Sequence, residues 1–150
     1  MGPGGSATEK QCELAYQIGG AVAKKGFVLL SGGMQGTMAA ACRGAKEAGG
    51  LVVGICPTDD AKNMCPDVDI PIVTAMRGGR NFINILSSNR VIAIGARSGG
   101  TLSEVAFAIQ QKRPLLVVDG TPEMQAYLKQ VEGGNVQFSD GIDGVHAFLS

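Results

Sequence analysis

Short, unbroken apolar runs alternate along this chain with segments of helical period, and that alternation constrains the fold more than any other feature. FVLL (Phe27–Leu30), LVVGI (Leu51–Ile55), IVT (Ile72–Thr74), VIAI (Val91–Ile94), PLLVV (Pro114–Val118) and the brief Val136–Phe138 each read as a strand without strict polar alternation. Runs of that kind are buried on both faces, as in a parallel sheet covered by helices. The first helix opens at Thr8, with Gln11 completing a capping box; Leu14, Ile18 and Val22 line its inner face and Gly26 stops it. Further helices are predicted through MAAACRGAKEA up to Gly49–Gly50, over Asn81–Ser88 with Phe82, Ile85 and Leu86 inward, over Thr101–Lys112, over Pro122–Val131 and over Ile142–Leu149. Pro57–Pro71 is polar and proline-rich and reads as a surface loop. Right-handed crossovers place the start of each helix that follows a strand at one edge of the sheet, and ligands of such folds bind at that edge. One α/β domain over residues 1–150, with helices on both faces of a parallel sheet, is the expectation.

Composition mainly excludes. In 150 residues, 45% are hydrophobic and 17% charged, the balance of a globular chain with one core. The 13 Lys and Arg match 13 Asp and Glu, and there is no Trp, so neither a nucleic-acid nor a membrane-surface partner is expected. No run approaches the roughly 20 apolar residues of a membrane span, and no signal peptide is visible. MGPGGS formally fits a myristoylation pattern but reads better as a loop. Cys12, Cys42, Cys56 and Cys65 show no CxxC spacing and His146 is the single histidine, so no metal site is expected and the thiols read as reduced, in the cytoplasm. The glycines, 23 of them, fall largely at the edges of apolar segments.

Two small-residue turns carry the chemistry. In SGGMQGT (Ser31–Thr37), Gly32 and Gly33 remove side chains where a strand turns into a helix, and unpaired amides there can take a phosphate. Ser31, Gly32, Gly33, Met34, Gly36 and Thr37 are the candidate ligand residues of this turn. An acidic ribose partner about 20 residues on is missing, which argues against NAD. In GARSGGTLSE, Gly95, Gly99 and Gly100 allow close approach, and Ser98 and Thr101 add hydroxyls. Arg97, Ser98, Gly99, Gly100 and Thr101 are its candidate ligand residues. Glu104 either completes a TxxE capping box or serves the site. MRGGRN puts Arg77, Arg80 and Asn81 at the next helix start. A cation there opposes the helix dipole, so an anionic ligand or a facing carboxylate is the reason to expect Arg80 in a cleft with Glu104.

Together, LLSGGMQGTMAAACRGAKEAGGLVVGICP, the MRGGRN arginine and GGTLSE resemble the Lonely-guy and molybdenum-cofactor-carrier superfamily, whose members were often labelled lysine decarboxylases. The resemblance covers about Gly4 to Asp119, and RNFINILSSNRVIAIGARSGGTLSEVAFAI looks closer to the carrier branch. It implies a Rossmann-like sheet and a homodimer or homotetramer. The carrier branch binds the pterin–molybdenum cofactor, a phosphate ester, without chemistry. The hydrolase branch cleaves the N-glycosidic bond of a nucleoside 5′-monophosphate, with arginine and glutamate at the positions of Arg80 and Glu104. No cofactor is required in either case, and no pyridoxal-phosphate machinery accompanies the decarboxylase label.

Two departures stand out. Where the hydrolase branch has PGGxGTxxE, this chain has GARSGGTLSE, with Arg97 in the loop either gripping a ligand oxygen or solvated. The apolar strand that precedes the first glycine loop in the family is missing or truncated, although Gly4, Gly5 and Ser6 can still line the site. Three functions therefore stay open: a carrier of a phosphorylated pterin or nucleotide, a phosphoribohydrolase, and an assembly subunit with a vestigial site. The altered loop favours the first. Apolar faces at Met38–Ala45 and at Phe82–Leu86 with Val105–Ile109 are the candidate subunit contacts, or simply core.

Overall fold

The computed structural model describes residues 1–131, 133 and 135–150. In chain order the elements are α1 (Glu9–Lys24), β1 (Leu29–Ser31), α2 (Thr37–Glu47), β2 (Val52–Cys56), β3 (Ile70–Val73), a 3-10 turn (Arg77–Gly79), α3 (Arg80–Leu86), β4 (Val91–Ile94), α4 (Gly99–Gln110), β5 (Leu115–Val118), α5 (Pro122–Gln130), β6 (Val136–Ser139) and α6 (Ile142–Phe148). Every strand pairing is parallel, as the continuous apolar runs demand, but the strands form two sheets of three, β1-β2-β3 and β4-β5-β6. Met1 adds one rung beside β4. Its ammonium donates to the Ile92 carbonyl at 2.7 Å, and its own carbonyl accepts from the Ile94 amide at 2.9 Å.

Burial on both faces is visible residue by residue in β4 and β5, whereas β3, read from the sequence as equally buried, is exposed because it is the edge strand of its sheet. Ile92, Ile94, Leu116 and Val118 pack with Leu14, Ile18 and Val22 of α1 and with Val145 and Phe148 of α6. Their neighbours Val91, Ala93, Leu115 and Val117 point the other way, against Ile85 of α3 and Val105, Ala108 and Ile109 of α4. Each such fully buried aliphatic contributes roughly 1.5–3 kcal/mol. Leu29 of β1 packs on the α1 cluster too, so α1 underlies both sheets.

The predicted elements are all present, with local corrections. β1 spans Leu29–Ser31 instead of the predicted Phe27–Leu30, and Phe27 and Val28 before it are exposed. β3 begins at Ile70, inside the stretch read as loop, because the main-chain pairing of Ile70 and Pro71 with β2 is what defines it. Helix α4 begins at Gly99, not Thr101, because Ser98 is its cap. Leu86 is 43% exposed, while Asn81 and Asn84 point inward in its place. Gly19 and Gly44 sit inside α1 and α2, each where a Cβ would lie 2.0 Å from a carbonyl of the other helix, so glycine here also serves helix–helix contact.

Candidate functional site

The turns after β1 and β4 open into one cavity of about 1100 Å³, which touches Ser31, Gly32, Thr37, Arg80, Asn84 and Glu104. Met38, Asn81, Ser98, Gly100 and Thr101 reach it as well. The structure thus gathers both glycine turns, Arg80 and Glu104 on one rim. Gly33, Met34, Gly36, Arg97 and Gly99 do not line it, and Arg97 is exposed.

Arg80 is the central group. It is only 9% exposed, its Nε has no hydrogen-bond partner, and among the described residues no carboxylate lies within ion-pair distance of it. Among the described residues its hydrogen-bond partner is the Met38 sulfur, 3.9 Å from Nη2. Burial lowers the Arg80 pKa from its usual value, and the charge of Glu104 offsets this only in part. A guanidinium stays protonated at neutral pH regardless. A buried cation with an empty donor is costly unless an anion completes it.

Gly32 has a different task from the one its sequence context suggests. A Cβ there would sit 2.0 Å from Arg80 Nη1 and 2.6 Å from its Cζ. Its bareness gives the guanidinium room to lie across the β1–α2 turn. The start of α2 is also less open than expected. The Thr37 amide and hydroxyl both donate to the Pro3 carbonyl, at 3.1 and 2.7 Å, because the N-terminal loop folds over this helix start. Gly33 packs against the Pro57–Pro71 loop instead of the cavity: its carbonyl accepts from the Cys65 amide at 2.7 Å.

The start of α4 is the freer one. Ser98 Oγ accepts from the Thr101 amide at 3.2 Å. The Gly99 and Gly100 amides have no partner among the described residues, and the space beside Gly99 is open. Glu104 is therefore not a capping-box residue. It lies one turn into the helix, 7% exposed, and accepts from Asn84 Nδ2 at 3.1 Å. Since a carboxylate only accepts, that bond fixes the amide orientation and leaves Asn84 Oδ1 as a buried acceptor with no donor. Asn81 Nδ2 donates to Ser103 Oγ and the Gly100 carbonyl, tying α3 to α4.

Asn84 is the residue that sequence reasoning missed. An asparagine inside a helix carries no signal by itself; its position one turn after Arg80, on the same face, is what could have found it.

Beneath the first turn lie two thiols. Cys42 is fully buried, and Cys65 packs beside it under the loop. The Cys42 thiol donates to Cys65 and holds its pKa down to about 7, while that same bond and burial push Cys42 well up. Alkylation with iodoacetamide at pH 7.5 is expected to label Cys65 first, at least about 10-fold faster than Cys42 or Cys56. Cys42→Ala is expected to move the Cys65 pH–rate profile up towards ~8.5. Peptide mass spectrometry over a pH series reads both.

Among the described residues, no helix is long and apolar enough to cross a membrane, and no three His, Cys, Asp or Glu side chains group to hold a metal ion.

Comparison with known proteins places this geometry. The chain superposes on the molybdenum cofactor carrier protein of Chlamydomonas reinhardtii with a TM-score of 0.89 and 37% identity, covering 98% of this chain and 91% of that one. The molybdenum cofactor binding protein of Rippkaea orientalis matches with a TM-score of 0.87 and 36% identity, covering 100% and 94%. An uncharacterised protein of Archaeoglobus fulgidus is 40% identical over 131 residues, 79% of this chain and 85% of its own. The resemblance to the carrier and Lonely-guy superfamily read from the motifs holds, with its Rossmann-like α/β fold. The model of the SLOG cluster4 family matches residues 1–142, and the chain belongs to that family.

Proposed function

We propose that this protein binds the molybdenum cofactor through its phosphate and holds it without converting it. The observation that carries the reading is Arg80: a buried guanidinium with no anion of its own, lining a cavity that the open Gly100 amide also reaches. A phosphate monoester would satisfy both at once. Asn84 Oδ1 is the acceptor left for an N–H donor of the ligand, such as a pterin ring supplies. The likeness to two proteins described as binding or carrying this cofactor supports the same ligand class. Four free thiols suit a cytoplasmic place.

Glu104 favours a second reading, hydrolysis of a nucleoside 5′-monophosphate. A buried carboxylate held by Asn84 at the cavity wall could stabilise an oxocarbenium-like sugar and orient water for attack on C1′ as the C–N bond breaks.

One experiment separates the two. The protein is incubated with cofactor released from a molybdoenzyme, passed through gel filtration, and assayed for pterin fluorescence after oxidation; in parallel it is incubated with AMP and assayed for free adenine. Co-elution of pterin with the protein and no adenine are the expected results. Adenine release that disappears in Glu104→Gln would replace the carrier by the hydrolase.

The oligomer belongs to the same proposal. Ile70, Ile72 and Val73 of the edge strand β3 are 44–47% exposed, with Met76 close by at 49%. An exposed apolar edge strand is a pairing surface. Ile72→Lys is expected to turn a dimer or tetramer into monomers in light scattering, with little change in monomer helicity.

A further inference from the structure

The cavity has a second cation. Arg77 lines it together with Arg80, and only Gly78 and Gly79 stand between them. Arg77–Gly79 form one 3-10 turn that runs directly into α3. A turn of this kind rises about 2 Å per residue and brings residues three apart to the same side, so the two stems leave the backbone roughly 6 Å apart. Arg80 is buried, whereas Arg77 is exposed at the cavity mouth.

Nothing in the fold accounts for a cation at position 77. Among the described residues, neither guanidinium has a carboxylate within ion-pair distance. Two like charges this close raise each other's energy while the site is empty. The backbone is against the residue as well. Arg77 has φ 49°, and Ala75, two residues earlier, has φ 54°. Side chains are strained in that region, and glycine adopts it freely. The two residues that follow are glycines, yet position 77 holds an arginine. Main-chain bonds fix the strained segment: the Ala75 amide donates to the Thr58 carbonyl at 3.0 Å, and the Arg77 amide to the Pro57 carbonyl at 2.8 Å. Pro57, Thr58 and Ala75 line the cavity too. Two stapled loops therefore form its rim and carry Arg77 there. Strain that persists because its surroundings over-determine it marks a functional position.

We infer that Arg77 takes a second phosphate, so that the site accepts a diphosphate ester across Arg80 and Arg77 and not a monoester alone. This rests on the phosphate reading of Arg80. The inner phosphate meets Arg80 and the Gly100 amide, and the outer one meets Arg77. Asp59, exposed on the same rim, opposes an anion there and limits the gain. The ligand class is that of nucleoside diphosphates and pyrophosphate-linked dinucleotides, whose phosphates adjoin.

Inorganic phosphate and inorganic pyrophosphate test it, titrated by ³¹P NMR, which reads millimolar affinities; neither has a glycosidic bond to cleave. The unaltered protein is expected to bind pyrophosphate at least about 10-fold more tightly than phosphate. Arg77→Gly removes the cation and relaxes the backbone. It should bring the two anions within about 2-fold of each other and leave phosphate itself unchanged, while Tm rises by roughly 2–4 °C. That rise excludes misfolding as the cause of the loss. Asp59→Asn should strengthen pyrophosphate about 2-fold at low salt. Arg80→Met should lose both anions. Equal affinity for the two in the unaltered protein, or a pyrophosphate preference that survives Arg77→Gly, overturns the inference and leaves the phosphate reading standing. Binding of neither anion by the unaltered protein overturns both.

Discussion

Arg80→Met is expected to abolish capture of the phosphorylated ligand and, at the same time, to make the ligand-free protein more stable. The two halves have one cause. Arg80 Nε is buried without a partner and no carboxylate pairs with the guanidinium among the described residues, so the folded state carries its desolvation without a local return. Methionine keeps the apolar stem and removes the charge. Relieving a buried unsatisfied polar group recovers about 1–3 kcal/mol, which for a chain of this size is roughly 5 °C in Tm. Binding moves the other way. Two charge-assisted hydrogen bonds to phosphate are worth about 3–5 kcal/mol together, so the affinity should fall by at least about 100-fold. Arg80→Lys keeps a point charge without the planar fork and should lose about 10-fold. Differential scanning fluorimetry with and without ligand reads both effects from one set of samples. A destabilised Arg80→Met would mean that the guanidinium holds the fold together, and the ligand site would have to be sought elsewhere in the cavity.

That split also explains why some of the site could be read in the sequence and some could not. Arg80 was legible because a cation at a helix start contradicts local electrostatics, and contradictions between local preference and observed residue mark sites. The Thr8–Gln11 capping box was legible because all its atoms lie within one turn; both reciprocal bonds form as expected. VIAI was legible because burial on both faces leaves no polar position to blur its ends, and Val91–Ile94 is the strand found. What failed was non-local or too short to average. The α3 helix has barely two turns, too few for the apolar pattern to fix its inner face, and a polar cavity on that side turns Asn84 inward and leaves Leu86 exposed. Glu104 matched a capping box with Thr101 in spacing, but Ser98, three residues before Thr101, took the cap. The role of Gly32 depends on Arg80, 48 positions away in sequence (80 less 32), and no turn signature carries that distance.

Gly36→Ala is expected to be the most destabilising single methyl group in the site region, and its cost comes from the chain start. Gly36 sits at φ 66°, ψ −132°, a conformation that side chains rarely adopt, and it forms the turn into α2. A Cβ there would lie 2.0 Å from the Gly4 carbonyl oxygen and 2.9 Å from that of Pro3. These are backbone atoms and cannot swing aside. The Pro3–Gly4 segment must move, and with it go the two bonds from Thr37 to the Pro3 carbonyl that cap α2. Backbone strain of about 1–3 kcal/mol and two hydrogen bonds at about 1 kcal/mol each sum to roughly 3–5 kcal/mol, a large share of the 5–15 kcal/mol that such domains possess. Gly49→Ala separates strain from collision. Gly49 has φ 80° but nothing within 4 Å of its Cβ position, so it should cost only about 1–2 kcal/mol. Urea unfolding of both variants measures the difference. Because the displaced segment also carries Met1, Gly36→Ala should speed exchange of the Ile94 amide, which donates to the Met1 carbonyl, whereas Gly49→Ala should leave that rung intact.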